Sequence, residues 1–160
     1  MGKVLASFRN GSPGAVSRAV DDIVISMRNS TNAAIPFGAP VFLVSGENAC
    51  RGFDASTSTP ASFIGFAVRI ADKTPEAYNR SEGSFQPGDP VDILVRGSTV
   101  LKFESSAAVG ASVYVRKADG KIVTAAGAEG TTVQLPNVTV RTGRDAGRCA
   151  EVVLTKRNLI

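Results

Sequence analysis

From residue 35 onward no stretch keeps apolar residues at helical spacing long enough to build a proper helix. Short β-branched and aromatic runs recur instead, at 41–44, 63–70, 91–95, 99–103, 112–116, 121–124, 131–140 and 149–155. Turn residues separate them: Ser45-Gly46, Pro87-Gly88-Asp89-Pro90, Arg96-Gly97-Ser98 and Ala118-Asp119-Gly120-Lys121. A chain punctuated this way predicts an all-β domain. Short strands with open edges invite aggregation, so the expectation is a small closed or nearly closed β-barrel or sandwich of antiparallel strands.

Two hairpins stand out. Asp119-Gly120 sits between Val113-Tyr114-Val115 and Ile122-Val123, where a tight turn needs positive φ. Gly97-Ser98, between Val91–Val95 and Val100–Phe103, predicts a second. Single helical turns are the most that Ser105–Val109 and Asp145–Cys149 allow. Residues 15–28 fit either period, since Val16, Ala19, Val20, Ile23 and Met27 suit a helix while Ile23, Ile25 and Met27 alternate. A strand over 22–28, ending in the loop Asn29-Ser30-Thr31-Asn32, is the favoured reading. A strand-entry device recurs at Gly38-Ala39-Pro40-Val41, Gly88-Asp89-Pro90-Val91 and Gly110-Ala111-Ser112-Val113. The polar stretch 71–90 predicts an exposed loop. The 160 residues, 43% of them apolar, divide into an extended N-terminal arm, 1–20, with turn residues at Asn10-Gly11 and Pro13-Gly14, and a β-rich domain, 21–160.

The net charge of +4 is unevenly spread. Residues 1–20 carry +3, residues 141–160 another +3, and the middle of the chain −2. Basic ends on a near-neutral body predict that the termini touch something acidic. No run of 18 apolar residues is present and the N-terminus lacks a signal-peptide core, so no membrane partner is expected, and the default compartment is the cytoplasm of the producing cell.

Reactive motifs are scarce. Without histidine, neither Ser-His-Asp nor Cys-His chemistry can be assembled. Gly-x-Ser-x-Gly, Walker and Gly-x-Gly-x-x-Gly patterns do not occur. Cys50 and Cys149 form no zinc pattern and read as small buried hydrophobes. Asp89 and Asp92 flank a proline turn, where solvated turn acids are far commoner than metal ligands. No enzyme, cofactor, metal or small-molecule substrate is expected. A nucleic-acid-binding barrel is the alternative, but Phe42, Phe63, Phe66 and Phe103 fall at strand positions that suit a core better than a stacking surface.

Taken in order, these motifs resemble a known family. They are Gly11-Ser12-Pro13-Gly14 with Val16-Ser17-Arg18, then Ile35-Pro36-Phe37-Gly38-Ala39-Pro40-Val41, then Phe63-Ile64-Gly65-Phe66-Ala67-Val68-Arg69. Gln86–Val91 with Gly97, Val109–Val115 and Ala150–Leu154 follow. The pattern is similar to that of the structural cement (decoration) proteins of tailed-bacteriophage capsids and extends over 11–155. That resemblance implies a non-enzymatic virion protein, made in the host bacterial cytoplasm, which binds the outside of the major capsid lattice and bridges neighbouring subunits. It also implies a homotrimer. The candidate partner-binding residues are Phe8 and Arg9 in the arm, which is expected to pack on another chain, together with Arg18, Arg141, Arg144 and Arg148.

Overall fold

In a computed structural model that describes residues 10–70 and 83–158, the sequence Pro90–Lys102 forms one continuous strand, β7. Its alternating Val91, Ile93 and Val95 and its later Leu101 are all buried. Around it stand β1 (Val16–Asn29), β2 (Ile35–Pro36), β3 (Pro40–Leu43), β4 (Ala49–Arg51), β5 (Phe63–Ala67) and β6 (Ser84–Phe85). The chain continues through β8 (Ser112–Arg116), β9 (Ile122–Val123), β10 (Thr132–Val140) and β11 (Cys149–Leu154). The described residues contain no α-helix, and a 3-10 turn at Pro60–Ser62 is their one helical element.

The expected hairpin at Gly97-Ser98 is not formed. Both flanks of that dipeptide find partners elsewhere: β1 lies along one edge of β7, with Ile23 opposite Arg96 and Arg18 opposite Ser98. On the other edge β11 pairs residues 97–102 and β5 pairs Ile93 and Leu94. With both edges supplied the strand has no reason to fold back on itself. Gly97, at φ 120°, carries it past the irregularity in β1, and a Cβ there would collide with the Asp22 carboxylate. The other expected hairpin, at Asp119-Gly120, does form. Arg116 N–H donates to Lys121 O and Gly120 N–H to Arg116 O around the Asp119-Gly120 turn between β8 and β9.

The pairings close on themselves. Starting from β1, the order β4, β3, β5, β7 returns to β1, the β1–β4 contact being parallel. From the other half of β7, the order β11, β10, β8, β9 comes back to the end of β7 through an isolated bridge between Ile122 and Phe103. The all-β reading holds, with the large sheet drawn into a near-ring. Each circuit encloses a core. Val41, Cys50, Ile64, Val91, Ile93 and Val95 fill the first, capped by the short β2–β6 pair, where Phe37 and Phe85 meet edge to face. Leu101, Phe103, Val113, Val115, Leu135 and Val152 fill the second.

The wall between the cores is β3 and β5, all of whose residues but Leu43 are buried. Phe42, Phe63 and Phe66 turn toward the second core, Val41, Ile64 and Ala67 toward the first. The rings of Phe42 and Phe63 lie 5.8 Å apart and those of Phe63 and Phe66 5.3 Å apart, both edge to face. Two-sided burial explains why 63–67 reads as a continuous apolar run and not as an alternation. The phenylalanines at strand positions are core, as expected.

The strand favoured over 22–28 is longer than expected: β1 begins at Val16 and runs through position 20 to Asn29. Residues 1–9 lie outside the described residues. Residues 10–15 are bonded to the body of their own chain. Asn10 donates through Nδ2 to Gly143 O (2.9 Å) and Cys149 O (2.8 Å). Gly14 donates N–H to Val100 O and accepts from Arg69 N–H. Gly14 and Gly38, both at positive φ, approach so closely that a Cβ on either would stand 2.8 Å from the other's nitrogen.

Gly38→Ala is therefore expected to cost about 2–3 kcal/mol, from a left-handed residue with a Cβ and from separating the two segments. For a domain this size that lowers the melting temperature by roughly 5–10 °C. A calorimetric shift below about 2 °C would show that the contact is slack.

Candidate functional site

Three elements converge where β7 ends. Phe103 N–H donates to Arg148 O (2.8 Å) and Glu104 N–H to Ile122 O (3.0 Å), which fixes the turn before β11 and the β8–β9 hairpin against the same two residues. Glu104 consequently faces cations from both. Lys121 Nζ stands 3.2 Å from Oε1 and Arg148 Nη1 3.4 Å from Oε2. Arg144 Nη1 donates to the backbone oxygens of Glu104 (3.1 Å) and Phe103 (3.4 Å). One turn away, Arg116 Nε donates to Asp119 Oδ1 (2.9 Å) in a forked contact, and Lys121 lies 3.9 Å from Asp119.

The electrostatics follow from these contacts. A hydrogen bond from Lys121 and the charges of Lys121 and Arg148 hold the Glu104 carboxyl below its ordinary range. Arg116 holds Asp119 down to about 2. Asp145 is committed to the backbone, accepting from Asn10 N–H at 2.7 Å and Cys149 N–H at 2.9 Å. Arg116, Lys121 and Arg148 thus engage Glu104 and Asp119, and the exposed Arg144 and Lys102 add further cations on the same surface. The surface is exposed, so solvent screens each of these pairs and they add little to stability.

Of the residues singled out in the sequence, Arg144 and Arg148 meet here. Arg141 follows β10, exposed, with its N–H on Glu151 O. Arg18 lies in β1 opposite Ser98. Phe8 and Arg9 lie outside the described residues. Lys102, Glu104 and Lys121 were missed. The hairpin carrying Lys121 was legible, but nothing in the chain signals that its base reaches the end of β7.

Elsewhere the polar groups do structural work. Asp92 Oδ1 accepts from Ser26 Oγ, Asp89 Oδ2 from Gln86 N–H, and Asp21 pairs with Arg96 at 2.6 Å. Cys50 and Cys149 are buried and unpaired, and burial pushes the Cys50 thiol up to about 11 and raises that of Cys149. No group of three or more His, Cys, Asp or Glu able to hold a metal ion occurs among the described residues. What the arrangement offers is a rigid cationic surface.

Residues 3–155 match the family model described as structural cement protein (E217 gp24/Pam3 gp6). The chain belongs to the structural cement protein family. Its fold is shared with a chain from the capsid of Myoviridae phage XM1, at 19% identity and a TM-score of 0.73, over 97% of this chain and 96% of that one. The head fibre gp8.5 N base of bacteriophage phi29 shows a looser likeness, at 11% identity and a TM-score of 0.44, over 86% of this chain and 99% of that one. A comparison with curated proteins finds no match. The family is one of phage structural proteins, which makes this cement protein a virion component.

The hairpin ion pair of this cement protein sets an acid limit. The Asp119 carboxyl titrates at about 2 when folded against 3.8 ordinarily, so the pair's contribution is complete above pH 3.8 and is lost as pH falls through about 2. Asp119→Asn should flatten the dependence of melting temperature on pH between about 4 and 2. Parallel curves for variant and parent would show that the pair contributes nothing.

Proposed function

We propose that this cement protein binds the outside of the major capsid lattice and bridges neighbouring subunits as a homotrimer. The reading rests on the family match over 3–155, and the XM1 likeness agrees with it in fold. The physical chemistry is compatible with it. The body is a doubly cored β structure suited to bearing load, its thiols are buried, and its charge excess lies on an exposed surface that can meet an acidic lattice. The phenylalanines that a single-strand binder would need for stacking are fully buried at Phe42, Phe63, Phe66 and Phe103.

Purified protein added to capsids that lack it should co-sediment with them and raise their melting temperature. Raising salt from about 0.05 M to about 0.5 M shortens the screening length severalfold and should lower occupancy. Light scattering should give three times the chain mass. A protein that leaves capsids bare would overturn the cement reading, whereas a monomer both free and on the capsid would overturn only the trimer.

A further inference from the structure

Beside the cationic cluster runs an open groove of about 750 Å³. Its lining combines Lys102, Lys121 and Arg148 with the apolar surface of Pro13 and Pro36. The two carboxylates in the lining are already engaged: Glu104 by Lys121 and Arg148, and Asp145 by the backbone N–H groups of Asn10 and Cys149. Lys102 is exposed and enters no ion pair among the described residues. Lys102 therefore leaves one positive charge in the groove that no ion pair among the described residues compensates.

Arg148 adds a second observation. It sits in the left-handed region at φ 63°, although its neighbour Gly147 could take such a conformation at little cost. That conformation is unfavourable for a residue with a Cβ, and its one ion pair among the described residues is an exposed contact at 3.4 Å. The turn before β11 fixes its backbone, with Arg148 N–H on Asp145 O and Phe103 N–H on Arg148 O, and its exposed side chain lines the groove.

We infer that the groove docks an extended acidic segment of a protein partner. Carboxylates at alternate positions meet Lys102, Lys121 and Arg148, and the intervening side chains lie on Pro13 and Pro36, as the period of two in an extended chain allows. A protein segment fits better than nucleic acid, because the aromatic rings in the lining, Phe37 and Phe103, are buried and offer bases no stacking face. The inference rests on the cement reading only for the source of the segment, which is a capsid subunit.

Fluorescence anisotropy with the full chain tests it, using a labelled peptide of alternating glutamate and valine, one of alternating lysine and valine, and oligo-dT. The acidic peptide alone should bind, and Lys102→Glu should weaken it about tenfold. Arg148→Gly separates binding from folding: the melting temperature should hold or rise, since glycine suits that backbone, while peptide affinity falls. Both variants should also lower capsid occupancy. Failure of the acidic peptide to bind, preference for oligo-dT, or affinity and occupancy unmoved by both substitutions would overturn the groove and leave the cement reading intact. The latter falls only if the unaltered protein leaves capsids bare.

Discussion

Two-sided pairing of β7 organises the molecule. A buried strand must satisfy its backbone donors and acceptors, and Pro90–Lys102 does so with β1 along one edge and β5 followed by β11 along the other. Because the partner on that second edge changes near the middle, one strand serves two circuits and two cores. Its first half closes the ring through β5, β3 and β4, and its second closes the other through β11, β10, β8 and β9. Residues far apart in sequence are thereby held in one unit.

The same arrangement positions the surface. Phe103 and Glu104 follow directly from β7, and their N–H groups fix the turn before β11 and the β8–β9 hairpin. The N-terminal segment is tied to that turn through Asn10 and to the first circuit through the Gly14–Gly38 contact. The cations near Glu104 are therefore carried on backbone fixed from three directions. Little backbone order need be gained when a partner docks, and ordering is the main entropic cost of a loop-borne site.

Much of this was legible. β8 falls at 112–116 as the alternation of Val113 and Val115 indicates, and β10 and β11 start within a residue of their apolar runs. What local pattern could not supply was partnership. Gly97-Ser98 looks like a turn because turns and strand irregularities use the same residues, and only β1 and β11 decide between them. The two- and three-residue strands β2, β4 and β6 are too short to have a period, and they exist through contacts such as Ile35 with Phe85. The extent of β1 was underestimated because Asp21 and Asp22 interrupt its apolar alternation, one pairing with Arg96 and the other packing against Gly97. The basic ends pointed to Arg144 and Arg148, but Glu104 lies 44 residues from Arg148, a separation with no sequence signature.

The energetics of such a surface decide how it can be used. Exposed ion pairs give about 0–1 kcal/mol each, far short of what one subunit needs to hold a lattice by itself. Contacts of that strength become effective when several sites are linked in one assembly, since each later contact forms at high effective concentration. A clamp of the proposed kind, repeated over a capsid, would gain from a rigid body with many modest contacts. The charge pattern suits the same use: cations steer the encounter at long range, while Glu104 and Asp119 hold them at fixed spacings that a mismatched partner cannot satisfy. The proposed trimer would multiply this by three. The affinity of the particle for its coat would then depend on how many copies engage together more than on the strength of any one ion pair.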